Sequence, residues 1–226
     1  MKIAGIVKSS LIDYPGKAST VIFLGGCNFR CGYCHNPELV QGYGNEIEPE
    51  ELFDFLKKRK RFLDGVCISG GEPTLHKVLP EFVKEIKELG LAVKLDTNGT
   101  EPDMLRDLIE TGLVDYVAMD IKGPAYKYEQ IARSPVNLGD IKESAKLLTD
   151  ARNREGFSCE FRTTVCRELL SAEDIERMIA EYPEAPPWYL QRFYNPGNIL
   201  DNEGIYSAYS SGEMEELGRR LCVNVR

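Results

Sequence analysis

A chain of 226 residues can bury one substantial core, and its 42% apolar and 28% charged content are those of an ordinary soluble protein. Its 28 basic and 36 acidic residues leave a net charge of −8, which argues against general nucleic-acid binding. No apolar run approaches a membrane span and the N-terminal stretch lacks the apolar centre of a secretory signal, so no membrane association is expected; the cytoplasm, where thiols stay reduced, is the expected compartment.

Residues 1–17 read as a lead-in that ends in a Tyr14-Pro15-Gly16 turn. The first strand, STVIFLG (19–25), feeds the loop GGCNFRCGYCHNP (25–37). A helix over 48–60 precedes the strand DGVCISG (64–70), and a helix over 76–89, closed by Gly90, precedes LAVKLDT (91–97). A helix over 102–111, ended by Gly112, leads to the strand VDYVAMDIK (114–122). Next come a helix over 138–153, the strand FSCEFRTTV (157–165), a helix over 172–181 and the strand PWYLQRF (187–193). An Asn195-Pro196-Gly197 turn and a last helix over 213–222 complete the chain. Six strands alternating with five helices imply βαβ units and a parallel sheet, hence an α/β fold. No linker or repeat divides it, so one domain over 1–226 is expected: the lead-in, a core over 18–193 and a C-terminal extension over 194–226.

The chemistry concentrates in the loop. Cys27, Cys31 and Cys34 follow a C-x3-C-x2-C spacing, and thiolates this dense in a reducing cell select soft metals. Structural zinc wants four ligands, and the only near fourth candidate, His35, adjoins Cys34 and would form a strained chelate. A cubane on three thiolates leaves one iron open instead. Cys67, Cys159, Cys166 and Cys222 form no second motif and read as small buried hydrophobes.

Strand parity places Lys94, Asp96 and Asn98 on one face, with Tyr116, Ala118, Asp120 and Lys122, and Glu160, Arg162 and Thr164, on the corresponding faces of later strands. Charges are rarely buried without partners, so that face lines a polar cleft. Gly70 and Gly71 allow close backbone approach to a ligand, and Glu72 can accept from an ammonium group; a simple turn after a strand is the alternative. Lys122 can pair with a carboxylate, with Asp96 and Asp120 as its partners; a network that merely satisfies buried charges is the alternative. The basic run 57–61 reads as a helix end favoured by the dipole, or else as a docking patch for an acidic electron donor.

C-x3-C-x-Y-C, with Tyr33 before the last cysteine, resembles the signature of the radical S-adenosylmethionine (SAM) superfamily. CHNPEL resembles the glycyl radical enzyme activases, and more closely the activating protein of anaerobic ribonucleotide reductase. LIDYPGK (11–17), SGGEPTL (69–75), KLDTNG (94–99), DYVAMDIKG (115–123) and EFRTTV (160–165) extend the likeness. The resemblance implies an incomplete (β/α)6 TIM-like barrel with an open lateral cleft and a [4Fe–4S] cluster on Cys27, Cys31 and Cys34. It further implies SAM bound by Tyr33, Gly70, Gly71, Glu72, Asp96, Thr97, Asp120, Lys122 and Arg162, with a monovalent cation at Asp96, Thr97 and Asp120. The related formate-lyase activases carry a ribose-side histidine on the last strand; here Gln191 or Tyr194 would stand in for it. The implied partners are a glycyl radical enzyme as protein substrate and flavodoxin or ferredoxin as electron donor. Two other readings are a small-molecule enzyme like 7-carboxy-7-deazaguanine synthase and a non-catalytic iron–sulfur electron carrier.

Overall fold

A computed structural model of the chain describes residues 1–42, 46–195, 197–201 and 203–226. Pro196, at the centre of the expected 195–197 turn, lies outside the described residues. Among the described residues eight strands form one sheet in chain order: β1 (Ile3–Ser10), β2 (Ser19–Leu24), β3 (Gly65–Gly70), β4 (Ala92–Thr97), β5 (Tyr116–Asp120), β6 (Ser158–Val165), β7 (Trp188–Arg192) and β8 (Asn224–Val225). β1 runs antiparallel to β2, every later pairing is parallel, and β1 and β8 are the two edges. The sheet is therefore an unclosed barrel rather than a ring. Six of the strands match the six expected from the sequence. The expected lead-in holds a strand that the sequence reading did not place: Ile3–Ser10 form β1, and Ile3 and Tyr14 are buried.

The helices are α1 (Pro37–Val40), α2 (Pro49–Arg59), α3 (Leu79–Glu88), α4 (Pro102–Glu110), α5 (Tyr128–Ala132), α6 (Leu138–Ala151), α7 (Ala172–Ala180) and α8 (Ser211–Leu221). Their apolar stripes make them pack on the sheet. In α3, for example, Leu79, Phe82, Val83 and Ile86 are buried at helical spacing. α7 starts with a capping box in which Ser171 and Asp174 satisfy each other's backbone N–H groups. On the helix-facing side of the sheet the core includes the fully buried Val66, Ile68, Val93, Leu95, Val117 and Met119. None of the described helices is long and apolar enough to cross a membrane.

The inner face is aromatic and charged where the strands begin. Tyr14 packs edge-on against Tyr116 at 5.9 Å, and Tyr116 donates to Glu160 Oε2 at 2.7 Å. Glu160, 2% exposed, also accepts from the Arg226 guanidinium, which lies 4.0 Å over the Tyr189 ring. These side chains floor the half-barrel. The basic last turn of α2 leads into the start of β3, at the end opposite the cysteine loop, which favours the solvated helix end over a donor patch.

Candidate functional site

The cysteine loop leaves β2 after Leu24 and is held by the loop that follows β3. Gly71 N–H donates to Leu24 O at 2.8 Å and Glu72 N–H to Gly26 O at 2.7 Å. Both glycines line the candidate cavity, and they have a second use besides. A Cβ on Gly70 would lie 2.3 Å from Leu24 O, at the end of β2, and one on Gly71 1.9 Å from Gly26 O, so they also permit close approach to the chain's own backbone around the cysteine loop. His76 Nε2 lies 3.0 Å from Gly25 O; burial lowers its pKa, and a neutral ring protonated at Nε2 donates there.

Cys27, Cys31 and Cys34, all unpaired thiols, share the wall of one cavity of about 420 Å³ with Glu72, Asp96, Thr97, Asp120, Lys122, Arg162 and Gln191. That volume suits one cofactor-sized molecule. Burial raises the Cys27 thiol to about 11 and raises Cys31 as well, with Lys122 opposing both shifts. Thiolates in this setting need a positive partner, and three of them on one cavity wall fit the donor set of a cubane. Among the described residues no three His, Cys, Asp or Glu side chains gather around a single-ion position. A cubane puts each thiolate on its own iron, so it does not require such a convergence.

The sheet's inner face carries a ladder of alternating charge across β4, β5 and β6. Lys94 pairs with Asp96 Oδ1; Asp96 Oδ2 meets Arg162 at 3.3 Å and accepts from Ser69 Oγ at 3.0 Å. Arg162 Nε donates to Asp120 Oδ1 at 2.8 Å, and Lys122 Nζ to Asp120 Oδ2 at 3.3 Å. Burial alone would raise Asp120, but Arg162 and Lys122 outweigh it and hold the carboxyl at about 2. Burial likewise opposes the charge on Lys122, and Asp120 then holds its pKa well above the ordinary value. Of the ladder's members, Asp96, Asp120, Arg162 and Lys122 line the cavity, and Lys122, held by one ion pair at 3.3 Å, has N–H groups to spare there. Those donors can receive an anion.

Glu72 is buried, and its partners belong to its own chain. Oε1 accepts from Thr74 N at 3.1 Å, Thr74 Oγ1 at 2.5 Å and Thr97 Oγ1 at 2.7 Å, while Oε2 accepts from Asn98 N at 2.6 Å. It thus locks the β3 and β4 loops together, with Oε2 the less saturated oxygen. The monovalent cation expected at Asp96, Thr97 and Asp120 is not supported by this arrangement. Both carboxylates already face cations, and the Thr97 hydroxyl is turned to Glu72. Tyr33 is buried with Cys31, Lys122 and Asp120 in its electrostatic surroundings. Gln191 reaches the cavity and Tyr194, 68% exposed, is not among its walls. His35 is exposed yet on the cavity wall, 5.6 Å from the Phe193 ring.

Several residues that sequence reasoning missed also matter. Asn98 Nδ2 donates to Asn28 Oδ1 and Asn28 Nδ2 to Thr100 Oγ1, each at 2.8 Å, pinning the cysteine loop to the end of β4. Asn98 was legible as an inward position by parity; Asn28, in a loop, carried no such signal. Asp13, brought to the cavity by the turn after β1, had none either.

The family model of the radical SAM superfamily matches residues 21–179. The chain belongs to the radical SAM superfamily. As a radical SAM enzyme it uses a [4Fe–4S] cluster and SAM, so the reading as a non-catalytic electron carrier falls. It is 37% identical over 222 residues, 96% of this chain and 90% of the relative, to a Methanocaldococcus jannaschii protein named as a candidate glycyl-radical enzyme activating enzyme. It is 37% identical over 130 residues to the pyruvate formate-lyase-activating enzyme of Clostridium pasteurianum, a match spanning 54% of this chain and 52% of that one. Among solved structures, Streptococcus suis SuiB bound to S-adenosylmethionine superposes with a TM-score of 0.67 at 14% identity, over 91% of this chain and 51% of that one. Escherichia coli QueE does so with a TM-score of 0.58 at 16% identity, over 99% and 92%. At those identities the likeness concerns the fold alone.

Proposed function

We propose that this radical SAM enzyme installs a glycyl radical on a partner protein by removing a hydrogen atom from a glycine Cα. The observation that carries this reading is the 37% identity to the M. jannaschii relative over nearly the whole of both chains. Anaerobic ribonucleotide reductase is the proposed partner, because CHNPEL and LIDYPGK resemble the reductase activators.

Cys27, Cys31 and Cys34 hold the cluster, and when bound, the cluster and SAM supply the one-electron cleavage that gives a 5′-deoxyadenosyl radical. The chain does the positioning. Lys122, at the end of the charge ladder, takes the methionyl carboxylate, with Asp120 and Arg162 fixing its place. Glu72 Oε2 takes the amino group while Oε1 braces the loop. Tyr33 backs Cys31, and Gln191 faces the ribose from β7. Reduced flavodoxin or ferredoxin would supply the electron, and the partner's glycine, losing a hydrogen atom, would keep the unpaired electron on Cα. The unclosed edge between β1 and β8 admits an extended protein loop, and the exposed Leu11 and Ile12 beside Asp13 offer that loop apolar contact.

The test is isotope transfer. With the target glycine deuterated in the reductase, deuterium is expected in 5′-deoxyadenosine, with a glycyl radical signal in electron paramagnetic resonance. One rival has a specific likeness behind it: 38% identity over 85 residues, 38% of this chain, to the 7-carboxy-7-deazaguanine synthase of Aquifex aeolicus. Turnover stimulated by a small metabolite, with no deuterium transfer from any glycyl radical enzyme, decides for that rival.

A further inference from the structure

The segment after β7 carries no family motif, yet it touches the cysteine loop directly. Leu200 N–H donates to Cys34 O at 3.0 Å and Asp201 N–H to Gly32 O at 2.9 Å, so two successive residues bond to both ends of the Gly32–Cys34 stretch. Gly32 has no positive φ, so its missing side chain answers a need for room rather than for an unusual backbone. A Cβ there would lie 2.0 Å from Tyr206 Oη and 2.8 Å from Arg133 Cζ. Those two groups sit on the loop like a closed catch.

Arg133 is the pivot. Its guanidinium reaches Asp201 Oδ2 at 2.5 Å and Tyr206 Oη at 2.8 Å. Its backbone, at φ 50°, is left-handed, a conformation that costs a non-glycine residue of order 1 kcal/mol and persists where neighbours over-determine it. The neighbours are visible: Ala132 O, just before it, accepts from Arg30 N–H of the cysteine loop at 2.8 Å. The Tyr206 ring packs on Phe193, which in turn contacts His35. Neither Arg133, Asp201 nor Tyr206 lines the cavity, so direct contact with SAM does not explain them.

We propose that Arg133, Asp201 and Tyr206 form a clasp that holds the Gly32–Cys34 stretch in place and sets how tightly the cluster is retained. They are positioning residues. The inference rests on the cysteine loop being the cluster loop and not on the identity of the substrate, so it stands or falls separately from glycyl radical formation.

The experiment measures two rates under anaerobic conditions: iron transfer from the reconstituted enzyme to a ferrous chelator, and alkylation of Cys31 and Cys34 in the cluster-free protein by iodoacetamide. Arg133→Gly removes the guanidinium and relieves the backbone; Tyr206→Phe removes only the hydroxyl; Gly32→Ala drives a methyl into both. Each is expected to speed both rates by roughly threefold or more, the factor that a half-exposed ion pair carries. Adding Arg133→Gly to Gly32→Ala should speed them no further, since both act on one contact. Arg133→Lys, which can still reach Asp201, should restore part of the retention. Arg167→Ala, which breaks the pair from Arg167 to Glu213 of α8 and leaves the Arg133, Asp201 and Tyr206 contacts in place, serves as the control. Parental rates in both Arg133→Gly and Tyr206→Phe, or equal acceleration in Arg167→Ala, overturn the proposal. The Arg133 and Tyr206 variants decide it even if Gly32→Ala does not fold.

Discussion

Replacing Glu72 by glutamine tests whether the third residue of the Gly-Gly-Glu motif serves the ligand or the loops. The carboxylate accepts from three donors on Oε1 and one on Oε2. A glutamine has one acceptor oxygen, which satisfies the Thr74 and Thr97 side best, and its amide nitrogen then faces Asn98 N–H across a 2.6 Å gap, donor against donor. One hydrogen bond to a charged group is lost and one buried backbone donor is left unpaired, at a cost of about 1.5–3 kcal/mol. Urea unfolding of the cluster-free protein reads this as a lower midpoint at an unchanged slope. The loss should already be present without SAM, because the loop contacts do not depend on the ligand. A midpoint equal to that of the parent, with SAM affinity alone reduced, would refute the architectural role and leave Glu72 with ligand binding only.

Anaerobic reconstitution should give roughly four irons per chain, one cubane's content. Alanine at Cys27, Cys31 or Cys34 should abolish the cluster's absorbance and SAM cleavage, whereas alanine at Cys67, Cys159, Cys166 or Cys222 should spare both. Lys122→Ala should weaken SAM binding by ~1.5–3 kcal/mol, roughly tenfold or more, as measured by equilibrium dialysis. Because Arg162 still pairs with Asp120, its unfolding midpoint should change far less than that of Glu72→Gln. Asp120 has a folded pKa of about 2, below its unfolded value, so its contribution to stability is full above about pH 4 and is lost as pH falls through 2. For a carboxylate 30% exposed that contribution is about 1–2 kcal/mol, and Asp120→Asn should flatten the acid limb of a stability–pH curve on cluster-free protein.

What the sequence shows and what it hides follow from the range of the forces involved. Period-two alternation is local, so the inward Lys94, Asp96, Asp120 and Arg162 were readable along single strands, and the structure joins them in one ladder. Strand β1 was hidden because IAGIVKSS carries a central glycine and ends in polar residues, a poor strand signature that pairing with β2 overrides. β8, two residues long, has no periodicity at all; it exists through backbone bonds such as Arg226 N–H to Leu190 O. Contacts between residues distant in sequence left no trace either. Arg226 and Glu160 are 66 positions apart, and nothing near either names the other. Gly70 and Gly71 were found, but what crowds them was not: the carbonyls of Leu24, at the end of β2, and of Gly26, in the cysteine loop.

The charge ladder has a bearing on how the enzyme will behave in salt. Its members are mostly withdrawn from solvent: Lys94 is 3% exposed, Arg162 13% and Lys122 16%. Mobile ions screen exposed charges over about 8 Å at physiological ionic strength, but they act far less on charges walled off in this way. A SAM carboxylate bound at Lys122 as proposed would meet a field already assembled, whose strength varies little between dilute buffer and concentrated salt. An encounter with a separate electron-donating protein joins two solvated surfaces, and this chain brings a net charge of −8 to it. Ionic strength thus acts as a selective control: raising it should alter how often the reductant arrives while SAM occupancy stays nearly constant.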